Sequence, residues 1–199
     1  RLRQLCCDPD LVLEGYRGPS AKLEACVELV AGAVDGGHQV LVFSQFTSML
    51  AILSQRLGAV LRASGCTCEQ LDGSCSKKKR AELVARFQEG RTQVLLISLK
   101  AGGVGLNLTA ADVVIHYDPW WNVAAQQQAT DRAHRIGQQR CVSVFKLIAA
   151  GTIEERIMAM QEAKRDLTES VLSGASTSAA LTREDLLSVL GASAALAEE

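Results

Sequence analysis

Two hydrophobic periodicities alternate along this chain. Apolar residues recur at helical spacing from Ser20 to Val34, at Leu23, Val27, Val30 and Val34, with Ser20 as the expected N-cap and Gly36-Gly37 as the stop. Val40 to Phe43 is then continuously apolar, the pattern of a strand buried on both faces of a parallel sheet. The stripe Met49, Leu50, Leu53 and Leu57 predicts a helix over 47–61. The alternation continues with a strand over 66–71, a helix over 76–88, strands over 93–98 and 113–117, a helix over 122–135, a strand over 142–147 and a long helix over 153–172. Parallel neighbours need crossover connections, so this order specifies an α/β fold, a doubly wound parallel sheet with helices on both faces. Ligands of such sheets sit beyond the carboxyl ends of the strands. The loops expected there are Ser44-Gln45, Asp72-Gly73-Ser74, the stretch from Ser98 to Asn107, and the stretch from Asp118 to Asn122.

Composition narrows the function. A chain of 199 residues, 48% hydrophobic, can bury one sizeable core, and 21 basic against 22 acidic residues argue against a general polyanion binder. Any nucleic-acid surface must be local. The one dense basic run, Lys77-Lys78-Lys79-Arg80, reads equally as a solvated helix start. Seven cysteines without paired CxxC spacing indicate neither a zinc site nor a disulfide framework, and reduced thiols suit a cytosolic setting. No apolar run is long enough to span a bilayer, so no membrane partner is expected. The start at Arg1, in mid-pattern, suggests a piece of a longer protein.

Three segments carry candidate chemistry. Gln128-Ala-Thr-Asp131-Arg132-Ala-His134-Arg135-Ile-Gly-Gln138 sets two arginines three residues apart on an expected helical face, a spacing from which guanidinium groups can reach charge on a transferring phosphoryl group. The alternative is a helix end whose arginines pair with nearby carboxylates. Ala101-Gly102-Gly103-Val104-Gly105 allows close backbone approach to a phosphate or ribose, or is only a tight turn. It lacks the third glycine of a dinucleotide fingerprint, and no Gly-Lys-Ser/Thr of a phosphate-binding loop occurs in the chain. Trp120-Trp121-Asn122 holds the only two tryptophans.

Together with Val40-Leu-Val-Phe-Ser-Gln-Phe46 and Val113-Val-Ile-His-Tyr-Asp-Pro-Trp-Trp-Asn122, in this order and spacing, these strings resemble the second-lobe motifs of SWI/SNF-type DNA-dependent ATPases. The resemblance runs from about Arg1 to Leu172 and implies a RecA-like lobe over 20–172, preceded by a lobe-linking segment over 1–19 and followed over 173–199 by a linker, short helix and tail. Arg132 and Arg135 would be the catalytic arginines, with Gly105, Asn107, Gln128 and Asp131 on the ATP side, Asp131 orienting an arginine. Ser44, Gln45, Gly73, Ser74, Lys77, Arg80, Ser98, Lys100, Trp121 and Asn122 would face DNA, with Trp120 packed in the core. Two departures stand out: Val123 where the family commonly has proline, and Asp8 where it has histidine.

The resemblance implies half of an active site, a lobe of an ATP-hydrolysing double-stranded DNA translocase that remodels protein–DNA complexes. An N-terminal RecA-like lobe would hold most of the Mg2+ that accompanies ATP, and the isolated chain would hydrolyse little or none. A DNA-bound protein is the expected further partner. Compact motif spacing looks bacterial, implying a cytoplasmic, nucleoid-associated protein, or a nuclear one if the source is eukaryotic. The rival readings are a non-hydrolysing nucleic-acid-binding module and a lobe of a strand-separating helicase.

Overall fold

The computed structural model describes residues 1–99, 106–120, 123–134 and 140–172, the side chains of 123, 125 and 163–172 excepted. Gly105, Lys100, Trp121, Asn122 and Arg135, all expected site residues, lie outside the described residues, as does the tail over 173–199.

Within them, the strands are β1 (Val40–Ser44), β2 (Cys68–Leu71), β3 (Val94–Ser98), β4 (Val113–His116) and β5 (Ser143–Lys146), and the helices are α1 (Leu2–Cys7), α2 (Ala21–Asp35), α3 (Thr47–Ala63), α4 (Lys77–Gln88), α5 (Val123–Thr130) and α6 (Ile153–Leu172). The five strands form one parallel sheet in the order β2-β3-β1-β4-β5. The central strands β1, β3 and β4 are buried throughout, as their unbroken apolar runs require, while the edge strand β5 is exposed throughout.

Alternate side chains along each central strand feed two cores. Val40, Val42, Leu96, Val113 and Ile115 pack with α2 and α3, through Leu23, Cys26, Val30, Leu50 and Leu57. Leu41, Phe43, Leu95, Ile97 and Val114 pack on the other face with α4, through Leu83 and Phe87, and with α5 and the turn after it, through Ala129 and Ala133. Helices on both faces make this the doubly wound sheet that the pattern predicted.

Element boundaries show where local rules suffice. α6 runs over its expected span, begun by Thr152, whose Oγ1 accepts from the Glu154 N–H at 3.1 Å. Ser76 caps α4 by accepting from the Lys79 N–H at 3.2 Å, whereas Ser20 sits at the N-cap of α2 without a side-chain hydrogen bond. Gly37, at φ 76°, takes the left-handed turn that ends α2.

β2 starts two residues later than expected, because the Cys66 N–H bonds back to the Leu61 carbonyl at 2.9 Å and so belongs to the closing turn of α3. The helix expected over 122–135 is α5 alone. Thr130 Oγ1 bonds the Gln126 carbonyl within its own helix and the His116 Nε2 across it, at 3.3 and 3.0 Å, which favours a bend at that turn. Arg132 and Ala133 then donate to carbonyls three residues back, tightening the chain out of the α-helix. α1 had no predicted counterpart. It is followed by a 3₁₀ turn over Pro9–Leu11, packs on α2 and α6, and is held by Tyr117, whose hydroxyl donates to the Cys7 carbonyl at 2.8 Å.

Candidate functional site

Four expected loops do gather at the carboxyl edge of the sheet, but they differ in what they expose. After β1, the Ser44 hydroxyl donates to Asp118 Oδ1 at 2.6 Å and accepts from the Phe46 N–H at 3.1 Å, while the Gln45 N–H donates to the same carboxylate at 3.3 Å. Ser44 has no exposed surface and Asp118 only 1%. This corrects the expectation that Ser44 offers a surface hydroxyl: it ends a strand flanked on both sides by β3 and β4, and its donor is spent on a buried acceptor. Ser98, at the end of β3, is likewise buried, so its side chain is not the surface donor expected either. Gln45 is half-buried with its amide nitrogen turned inward. Burial pushes the Asp118 carboxyl above the usual carboxylate range, against the hydrogen bonds of Ser44 and Gln45, which pull it down.

After β2, the same residue types meet in water. Asp72 accepts from the Ser74 N–H at 2.8 Å and from its hydroxyl at 2.5 Å, and from the Gln70 amide at 2.7 Å. The Ser74 hydroxyl, followed by its N–H, lowers the Asp72 pKa below 3.8. Gly73, Ser74 and Lys77 are exposed and Arg80 is half-buried, as an interface to another molecule requires.

Lys77 and Arg80, from α4, share an open cavity of about 490 Å³ with Cys75, Val84, Leu106 and Asn107. An ammonium, a guanidinium and a side-chain amide around one concavity form a donor set suited to phosphate oxygens. The cavity brings together residues expected in different roles, since Asn107 was assigned to ATP and the two cations to DNA. The segment carrying Asn107 is fixed from both ends: the Gln88 amide donates to the Asn107 carbonyl at 3.3 Å, and the Leu108 N–H donates to the Arg132 carbonyl at 3.1 Å.

That second bond joins the stretch after the glycine run to the arginine segment. Arg132 lies in the turn beyond α5 and is 4% exposed, so it does not project from a helical face as expected. Gln128, four residues earlier, is exposed. Asp131, expected to orient an arginine, is exposed and accepts from the Gln127 amide at 2.9 Å. Gln126, at 5% exposure, faces inward over a second cavity of about 270 Å³ with His116, Lys146 and Gln161. His116 stacks on Phe43 with ring centroids 5.6 Å apart, and burial lowers its pKa to about 4, helped by Lys146.

The contacts that Tyr117 to Trp120 make with distant elements had no counterpart in the sequence reading, which placed Asp118 to Asn122 in a ligand loop. Besides Tyr117 and Asp118, the Pro119 carbonyl accepts from Arg3 at 2.6 Å, and the carbonyl of the half-buried Trp120 accepts from the Gln161 amide. The pairing of Ser44 with Asp118, 74 residues apart, had no local signal.

A five-stranded parallel sheet of this order, with helices on both faces, defines the class: a RecA-like helicase lobe. The model of the helicase conserved C-terminal domain matches residues 21–137. The chain is 42% identical over 191 residues to YwqA of Bacillus subtilis, named as an ATP-dependent helicase/translocase, covering 94% of this chain and 20% of the relative. The SWI2/SNF2 ATPase core domain of Sulfolobus solfataricus superposes with a TM-score of 0.69 at 34% identity, covering 94% of this chain and 38% of that one. The same core in complex with double-stranded DNA gives a TM-score of 0.67 at 34% identity, over 87% and 36%. The chain therefore belongs to the helicase C-terminal domain family, as a C-terminal lobe of the SWI2/SNF2 type. It spans 20%, 18% and 14% of the length of three curated relatives that it matches.

Proposed function

We propose that this chain is the second ATPase lobe of a double-stranded DNA translocase that remodels protein–DNA complexes. The observation that carries the reading is the joining of three groups: Lys77 and Arg80 of α4, Asn107 lining the same cavity, and Arg132, whose carbonyl accepts from the Leu108 N–H next to Asn107. A relative named as a helicase/translocase and a structural neighbour in complex with double-stranded DNA support it.

In this reading Lys77, Arg80, Ser74 and the Gly73 backbone hold DNA phosphates, a contact set without base readout, so binding is insensitive to sequence and weakened by salt. Asn107 and Gln128 face the nucleotide. Arg132 and Arg135 stabilise charge on the transferring γ-phosphoryl group when an N-terminal lobe closes on this one, and closure must uncover the Arg132 guanidinium, which is buried in the lobe alone. Magnesium, held mainly by that other lobe, neutralises phosphate charge. The isolated chain, holding half the site, is inactive.

The test is ATP turnover of the full-length protein with double-stranded DNA titrated in, wild type against Arg132→Ala and Arg135→Ala. DNA-stimulated turnover should fall by about 10³-fold in each variant with DNA binding retained. Unchanged turnover would make both arginines structural and overturn the interlobe assignment.

A further inference from the structure

We infer that Tyr117-Asp118-Pro119-Trp120 is a positioning segment that couples the N-terminal lobe-linking segment to the loop after β1. The inference rests on the translocase reading above and adds a path through the lobe that no motif assignment supplies.

These four consecutive residues hold three elements, α1, the loop after β1 and α6. The Tyr117 hydroxyl donates to the Cys7 carbonyl of α1 at 2.8 Å, and the Pro119 carbonyl accepts from Arg3 of the same helix at 2.6 Å. Between those two anchors, Asp118 accepts from the Ser44 hydroxyl at 2.6 Å and the Gln45 N–H at 3.3 Å. The Trp120 carbonyl accepts from Gln161 of α6. Tyr117, Ser44 and Asp118 are all buried, so breaking the Tyr117–Cys7 or the Ser44–Asp118 bond leaves a polar group unpaired away from water.

The geometry has a directional consequence. In the translocase reading α1 lies in the lobe-linking segment, so a movement of the other lobe reaches this one through it. A displacement of α1 by that lobe shifts Tyr117 and Pro119 together, and Asp118, fixed between them, carries the shift to Gln45. In this reading Asp118 and Tyr117 act as positioning residues, through α1 and the loop after β1.

The test uses the full-length protein and reads the ratio of DNA-stimulated to DNA-free turnover, which a merely structural role would leave alone while lowering the melting temperature. Tyr117→Phe keeps the ring's packing and removes one anchor; Asp118→Ala removes the acceptor; Asp118→Asn keeps an acceptor for Ser44. The stimulation ratio should fall by about fivefold or more in Tyr117→Phe and Asp118→Ala, and Asp118→Asn should restore it. Tyr117→Phe decides if the alanine variant does not fold: a smaller fall than that overturns the coupling. A wild-type protein with no stimulation by DNA overturns instead the translocase reading on which it rests.

Discussion

Two regions of the same sheet edge, separated by β3, each pair an aspartate with a serine, and they behave oppositely. Asp72 and Ser74 meet on the surface, and hydrogen bonding holds the carboxyl below its usual range. Asp118 and Ser44 make a bond of nearly the same length inside the lobe, and burial raises the carboxyl despite that bond. Chemistry and geometry are shared; solvent decides the sign. An exposed pair of this kind shapes a binding loop that can be remade in water, whereas the buried pair fixes two strands to each other and cannot be opened cheaply.

The buried side of the comparison should show first in acid. His116, two residues before Asp118, has a folded pKa of about 4 against 6.5 when exposed. The unfolded chain therefore takes up a proton that the folded chain refuses between those values, and stability is lost as pH falls from 6.5 to 4 by about 3 kcal/mol. Urea unfolding at stepped pH, wild type against His116→Asn, should show this slope in the wild type only. Parallel curves would mean that His116 is protonated in the folded lobe.

Removing each serine hydroxyl tests the pairs themselves. Ser44→Ala leaves a buried carboxylate short of a donor and should cost about 2 kcal/mol, while Ser74→Ala, which exposes Asp72 to water, should cost about 0.5 kcal/mol or less. Equal losses in denaturant titrations at pH 7 would erase the distinction.

The exposed loop should matter instead to binding. Lys77→Ala and Arg80→Ala should each weaken double-stranded DNA binding uniformly across sequences and reduce the slope of log affinity against log salt by about 1, measured by fluorescence anisotropy of the full-length protein. A sequence-dependent loss would show base contact in place of phosphate contact.

The smallest effects are the pH signatures of the two aspartates. The depressed Asp72 adds stability that is present above 3.8 and lost as pH falls through its folded value, so Asp72→Asn should flatten the curve on the acid side. Asp118 has the opposite sign: its raised pKa makes the folded state hold a proton longer, and stability falls as pH rises from 3.8 through the folded value. Asp118→Asn should remove that decline in the same pH-stepped urea titrations. The same direction for both variants would contradict the account.

What the sequence revealed follows the same division. α4, with its Ser76 cap, and α6, with its Thr152 start, were legible because their signals lie within a few residues. The central strands were legible because burial on both faces leaves no polar alternation. The end of α5 was not, since it turns on a contact between Thr130 and His116 across the core, and α1 was not, since it is short and is held by Tyr117 and Arg3 contacts spanning more than 100 residues. The candidate site divides likewise. Polar residues in turns, such as Gly73 and Ser74, are where the loop pattern put them, while Ser44 and Ser98 turned inward because their strands are central.

Third-strand displacement from a DNA triplex by the full-length protein tests the central claim most directly. Translocation along the duplex predicts that ATP releases the third strand while the underlying duplex stays paired, and that Arg132→Ala abolishes the release. Separation of the duplex strands, or release that does not need ATP, would contradict it.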